Sequence, residues 1–179
     1  YIKLQSHVSC LIGKQKLTGC AIRYQRGFLN NASHAIDLLQ FLLGWNISEA
    51  AVEISLKVAD EIAEDPTISC AGDWNGAVFS VVGLPYVRFS LFEIDLFFES
   101  DAVRVRDRGN TIEMATSDRP GDYYSPLRTV SVQSDCMEEP FGNLYRYVET
   151  IFASDSALDN FKSSVAMTNW MISILERAR

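Results

Sequence analysis

Apolar residues recur along the chain with two periods, and the switches between them divide it into elements. Leu4, Val8, Leu11 and Ile12 follow helical spacing until Gly13 and the segment 14–16 break it. Residues 17–24 read as a strand, and 27–44 as a loop leading into a helix with Ile36, Leu39, Phe41, Leu42 and Leu43 on a broad apolar face. Ser33 is placed to cap that helix, Asp37 falls in its first turn, and Gly44 suits a left-handed end. Alternation then returns over 47–59, with Val52, Ile54, Leu56 and Val58 on one face and Glu53, Ser55 and Lys57 on the other.

The next two strands, 67–71 and 77–83, flank Asp73-Trp74-Asn75-Gly76, whose Asn-Gly pair predicts a hairpin. Residues 88–99 and 102–108 alternate again. With a two-residue turn at Ser100-Asp101, Asp95 would face Arg106, Glu93 would face Arg108, Leu96 Val105 and Phe98 Val103. Short strands follow near 112–115 and 129–132, separated by a turn-rich loop at 118–122, and helices over 142–152 and 157–177 close the chain. The sum is an α+β domain, with an open, mostly antiparallel sheet of about six strands and helices on one face.

Composition narrows the possible functions. The 179 residues carry 16 Lys plus Arg against 23 Asp plus Glu, a net charge of −7, and 47% of them are hydrophobic. That supports one globular domain with a sizeable core and speaks against a nucleic-acid or anionic-membrane surface, which needs clustered cations. No apolar run reaches the roughly 18 residues of a membrane span. Cys10, Cys20, Cys70 and Cys136 form no C-x-x-C pair and read as reduced thiols of a cytoplasmic protein without a metal cage. Tyr1 opens directly inside a helical pattern, so the chain reads as a fragment of a longer protein.

Nucleotide-binding and hydrolase signatures such as G-x-G-x-x-G, the P-loop, H-E-x-x-H and G-x-S-x-G do not occur. The chain has two histidines, the side chains best suited to proton transfer near neutral pH. His7 lies in the first helix and reads as a surface or packed residue. His34 sits where loop becomes helix, a place where free N–H groups gather substrate oxygens, and Asp37 comes three residues later on nearly the same face. Taken alone these features leave His34 open to a structural or a functional reading. Arg23 and Tyr24, on the preceding strand, either face a substrate hydroxyl or carboxylate or form an ordinary strand pair. Tyr123 and Tyr124 line a cleft rim or a solvated loop, Trp74 and Trp170 read as core or interface, and Glu138-Glu139 and Glu93-Asp95 as solvated or cross-strand carboxylates.

The segment R-G-F-L-N-N-A-S-H-A-I-D-L-L-Q-F-L-L-G, residues 26–44, resembles the G-x-L-x-D-x-G-x-H-x-x-D-L-L-x-x-L-x-G stretch of the Gfo/Idh/MocA family, the glucose-fructose oxidoreductase and inositol dehydrogenase type. W-N-G-A-V-F-S-V and F-E-I-D-L-F-F are similar to the hairpin and strand that come after it there, and the order of elements agrees throughout. The resemblance implies that residues 1–179 are the substrate-binding and oligomerisation domain, of the glyceraldehyde-3-phosphate dehydrogenase-like C-terminal kind, with an N-terminal Rossmann domain absent from this chain. It further implies hydride transfer between NAD or NADP, held mainly by that missing domain, and a sugar, polyol or sugar-nucleotide carbon. His34 would be the acid/base residue beside a lysine of the missing domain, with Asn30, Arg23, Tyr24 and Asp37 as substrate contacts and a homodimer or higher homo-oligomer formed through the sheet face. Asn30 stands where the family commonly has Asp, and Ala32 where it has Gly. These departures motivate a second reading, a non-catalytic ligand-binding or assembly module derived from the same family.

Overall fold

The structure, a computed structural model, describes residues 2–58, 64–136 and 156–178. Eight strands form one open sheet in the order β2-β3-β4-β1-β5-β6-β7-β8. They are β1 (Leu17–Gln25), β2 (Ala51–Val58), β3 (Thr67–Trp74), β4 (Ala77–Leu84), β5 (Phe92–Phe98), β6 (Asp101–Arg106), β7 (Thr111–Ser117) and β8 (Leu127–Gln133). β1 runs parallel to β4, and every other neighbouring pair is antiparallel. Eight strands replace the six anticipated, because 111–117 and 127–133 each form a full ladder rather than a short excursion. The helices α1 (Ile2–Ile12), α2 (Ser33–Leu43) and α3 (Ser156–Arg177) contribute buried residues to the single core cluster on one face. The helix anticipated over 142–152 lies outside the described residues.

The pleat of β1 sorts the sheet into its two faces. Cys20, Ile22 and Tyr24 are buried under the helices, whereas Ala21, Arg23 and Gln25 are only partly covered. On the helix side an aromatic row runs through the core. Trp45 and Trp74 meet edge to face at 5.6 Å, Trp74 and Phe79 at 5.8 Å, and Phe79 and Trp170 at 6.0 Å. Both buried indoles also find backbone acceptors, Trp74 in Asn46 and Trp170 in Ala50. The two tryptophans read as core or interface are therefore core.

Three local expectations need correction. In β5–β6, Asp95 lies opposite Arg104 and Leu96 opposite Val103, a two-residue slip from the anticipated register. The Gln15 side chain selects it, accepting from the Ser100 N–H at 3.0 Å and donating to the Asp101 carboxylate, which leaves Glu99-Ser100 as the turn. A slip of two preserves which face each side chain occupies. In β2, by contrast, a bulge at Glu53 reverses the faces, so that Val52 packs against the core while Ile54 and Leu56 stand exposed. At that bulge the backbone of Ala51 closes on Gly72, where an added Cβ would come within 1.9 Å of the Ala51 carbonyl oxygen. The Asn75-Gly76 turn forms as expected, with φ of 53° and 79° and the Gly76 N–H donating to the Asp73 carboxylate.

The close approach at Gly72 yields a test. Gly72→Ala must push the β2 backbone outward and is expected to destabilise the fold by about 1 to 3 kcal/mol, read from the midpoint of urea unfolding.

Candidate functional site

β1 delivers the chain to Gly27, whose φ of 87° turns it sharply into a helical coil. That coil begins as a π-helical turn over Phe28–Ala32, with the Ala32 N–H reaching the Gly27 carbonyl, and continues without interruption as α2. π-turns of this kind recur at functional positions. Ser33 therefore does not cap a helix. It lies inside one, and its hydroxyl donates to the Asn30 carbonyl at 2.6 Å. Asp37 is likewise in the interior of the coil. The cap comes from Asp65, 35 residues away, whose carboxylate accepts from the Leu29 N–H at 2.7 Å and the Asn30 N–H at 3.0 Å. The free N–H groups anticipated near His34 are thus occupied by the protein's own carboxylate.

Other contacts fix the same turn. The Asn31 amide donates to the carbonyls of Arg26 at 2.6 Å and Gln25 at 3.3 Å, tying the turn to the end of β1. Phe28 is fully buried, its ring tilted against Tyr24 at 6.4 Å, and Ala32, Ala35, Ile36 and Leu39 continue the buried side of the coil. At the other end Gly44 adopts the left-handed conformation and donates to the Gln40 carbonyl, as anticipated.

With one side of the coil anchored, the opposite side carries Asn30, His34 and Asp37, spaced four and three residues apart and all exposed. Although the residue is exposed, partial desolvation of its carboxyl pushes the Asp37 pKa up, while the neighbouring His34 charge opposes that shift. The arrangement offers an imidazole with a carboxylate beside it and an amide one turn before it. Such a set can pass a proton to or from a hydroxyl and hold a second hydroxyl as donor and acceptor.

Arg23 and Tyr24 are not brought to this group. Tyr24 is fully buried, and its hydroxyl donates to the Ile68 carbonyl at 2.8 Å and accepts from the Ile68 N–H at 2.9 Å. Arg23 projects from the other face of the sheet, bonded to Glu93 and Asp95 at 2.8 Å each. Burial opposes its charge, but the bonds to the two carboxylates outweigh that and hold its pKa above the ordinary value. Strand alternation is the reason the neighbours part: one must face the helices and the other must not. His7 is exposed on α1, and Tyr123 and Tyr124 stand fully in solvent between β7 and β8. Glu138 and Glu139 lie outside the described residues. Cys20 and Cys70 are free and buried, with pKa values pushed up to about 12 by burial, which leaves them as unreactive core thiols. Among the described residues no three His, Cys, Asp or Glu side chains gather as metal ligands.

No protein-family model matches the chain, and no curated protein does. Solved structures match it along nearly its whole length. The 3-ketoreductase KijD10 from Actinomadura kijaniata, in complex with NADP, aligns with 100% of this chain and 58% of its own at a TM-score of 0.67 and 6% identity. For the transcriptional regulator Gal80p from Kluyveromyces lactis the coverage is 97% and 55%, the TM-score 0.62 and the identity 12%. For the dehydrogenase MviM from Clostridium difficile it is 97% and 59%, with a TM-score of 0.61 and 9% identity. The chain has the fold of the Gfo/Idh/MocA-type dehydrogenases. It spans less than two thirds of each of these proteins, and at such identities the likeness is one of fold.

Asp65 is the residue of this turn that sequence patterns passed over. It lies in an Asp-Pro step between strands, without periodicity to mark it, and its partners are backbone groups far along the chain. Asp65→Ala is expected to cost about 0.5 to 2 kcal/mol, the usual worth of a helix N-cap, and to speed amide hydrogen exchange at Leu29 and Asn30 while leaving the β6–β7 amides unchanged. A second expectation concerns Asp37. Its raised pKa means that the folded chain holds the proton more tightly than the unfolded one. The penalty is absent below the unfolded carboxyl range and fully present above the raised folded value. Asp37→Asn should therefore raise the melting temperature at pH 7 and leave it unchanged at about pH 3, where the carboxyl is protonated in both states.

Proposed function

We propose that this chain is the substrate-binding and assembly half of an NAD(P)-dependent oxidoreductase that acts on a hydroxyl-bearing carbon of a sugar, polyol or sugar nucleotide. The observation that carries the reading is the exposed Asn30, His34 and Asp37 face on a firmly anchored turn, in a fold shared with a ketoreductase solved with NADP. The chain has no glycine-rich turn for a dinucleotide, so NAD or NADP would be held mainly by a domain preceding Tyr1. When bound, that cofactor would supply or accept the hydride at the carbinol carbon. This chain's part is the proton: His34 takes it from, or returns it to, the substrate hydroxyl, with a lysine of the preceding domain as its partner. Asn30 holds a neighbouring hydroxyl through its amide, and Asp37 stabilises the charged imidazole. Arg23 and Tyr24 have no substrate role in this scheme, being committed to the ion pairs and the core.

Among the described residues no helix is long and apolar enough to cross a membrane. The open sheet face, with exposed Val78, Val82, Leu127 and Val132, supports pairing with a second copy.

The second reading, a non-catalytic module, is favoured by Asn30 in place of an acid and by the fold shared with a transcriptional regulator. Fluorescence titration of the full-length protein with NADH and NADPH, followed by turnover assays on a polyol and sugar panel, separates the two. Under the oxidoreductase reading His34→Ala lowers kcat by about 10² to 10⁴ without changing the melting temperature. Dinucleotide binding without turnover of any substrate establishes the module instead, and an unchanged kcat removes His34 from the chemistry.

A further inference from the structure

Most arginine side chains of this fold are committed to partners. Arg23, Arg104 and Arg106 converge on Asp95, Arg119 pairs with Asp122, Arg128 with Asp118, and Arg177 donates to the Val52 carbonyl. Among the described residues two exposed arginines, Arg88 and Arg108, have side chains with no hydrogen-bond or ion-pair partner. Both stand at the end of the sheet that carries the His34 coil. Arg88 lies in the connection 85–91, which crosses the end of β1 on its way from β4 to β5, and Arg108 in the turn 107–110 between β6 and β7. Gln25, two residues before Gly27, donates from its backbone to the Leu91 carbonyl at 3.0 Å and from its side chain to the Val87 carbonyl at 3.2 Å. The Asn31 amide of the coil holds the carbonyl of the same glutamine. Continuing the register that pairs Ile94 with Val105 carries Leu91 to the level of Arg108, one strand spacing, about 4.8 Å, away. The Arg108 backbone is thus two spacings, about 10 Å, from the end of β1.

Aromatic rings flank Arg88 in the same connection, Tyr86 and Phe89, which keep 70% and 61% of their surface exposed. Exposed rings beside unpaired guanidinium groups suit a planar base and its phosphates, the ring stacking on the base and the guanidinium meeting phosphate oxygens in a fork. The backbone amides at the start of the coil, an ordinary seat for a phosphate, are already closed by Asp65. A phosphate bound at this end must therefore be met by side chains. Asp107, the carboxylate next to Arg108 in the chain, accepts from the Asn110 amide at 3.4 Å. Arg108 itself is held in the left-handed conformation, with φ of 55°, a costly state for a residue with a side chain and one that clusters at ligand-binding positions.

We propose that Arg88, Arg108 and the Phe89 and Tyr86 rings bind the nucleoside diphosphate part of a sugar nucleotide, whose sugar ring reaches the Asn30 and His34 face. This choice among the substrate classes of the oxidoreductase reading rests on that reading for the sugar end alone. The two arginines take the diphosphate, and the aromatic rings take the base. A free polyol or an unphosphorylated sugar would leave both arginines without a partner.

Isothermal titration calorimetry on the full-length protein tests this, with uridine, guanosine, adenosine, cytidine and thymidine diphosphates and glucose 1-phosphate as titrants. At least one nucleoside diphosphate is expected to bind at least about tenfold more tightly than glucose 1-phosphate, which has a phosphate but no base to stack. Replacing both arginines, Arg88→Gln with Arg108→Gln, is expected to weaken that binding at least about tenfold, and Phe89→Ala at least about fivefold. All three side chains are exposed, so the melting temperature should not move; if the double variant loses its circular dichroism signal, the two single Gln variants are read instead. Arginine variants that bind like the wild type, no binding of any nucleoside diphosphate, or glucose 1-phosphate bound equally well each overturn the proposal. So does displacement of the bound diphosphate by NADH, which would place it in a dinucleotide site. Turnover separates the two readings. A protein that oxidises unphosphorylated sugars or polyols and binds no nucleoside diphosphate keeps the oxidoreductase reading and loses this one, whereas arginine-dependent nucleotide binding without turnover of any sugar nucleotide does the reverse.

Discussion

The alternation of β1 is the constraint on which the rest of the molecule depends. This strand lies inside the sheet, parallel to β4 on one side and antiparallel to β5 on the other. Its even-numbered residues from Cys20 to Tyr24 enter the core, and the odd ones between them face the open side. Tyr24 locks the arrangement by bonding both backbone groups of Ile68, two strands away across β4. A buried hydroxyl that satisfies an N–H and a carbonyl is costly to lose, since removal leaves two desolvated partners. From the end of this strand the chain has one short turn in which to reach α2, and the conformation of Gly27 sets that turn.

The coil beyond Gly27 is held in place by residues on its inner side. The π-turn leaves the Leu29 and Asn30 N–H groups pointing out of the helix end, and Asp65 takes both. Asn31 binds the turn to β1, and Phe28 and Ala32 seal its inner side. These inward-facing groups are partnered by protein, so Asn30, His34 and Asp37 face outward on a rigid support.

On the opposite face the chain meets the problem of an open sheet differently. Its outward positions combine apolar and ionic side chains, and the ionic ones form a closed network centred on Asp95. A buried carboxylate with three guanidinium groups around it is satisfied within the chain. The helix face thus carries the apolar core, and the open face carries the ionic network.

The sequence by itself determined the order of the described helices and strands, the Asn75-Gly76 hairpin, the Gly44 helix end and the shared helix face of His34 and Asp37, because each depends on local period or local backbone preference. It also carried the fold type, through the segment around His34. Tertiary structure alone decided the rest. The bulge at Glu53 moved Ile54 and Leu56 to the open face, since one inserted residue shifts the pleat without altering the composition of the strand. Gln15, some 85 residues away, chose the β5–β6 turn. Strand alternation assigned Tyr24 to the core and Arg23 to the ion network, and Asp65 became the cap of a helix far from it in the chain. Periodicity reports which residues share a face, but which distant side chain satisfies a given backbone group depends on positions that exist only once the strands have paired.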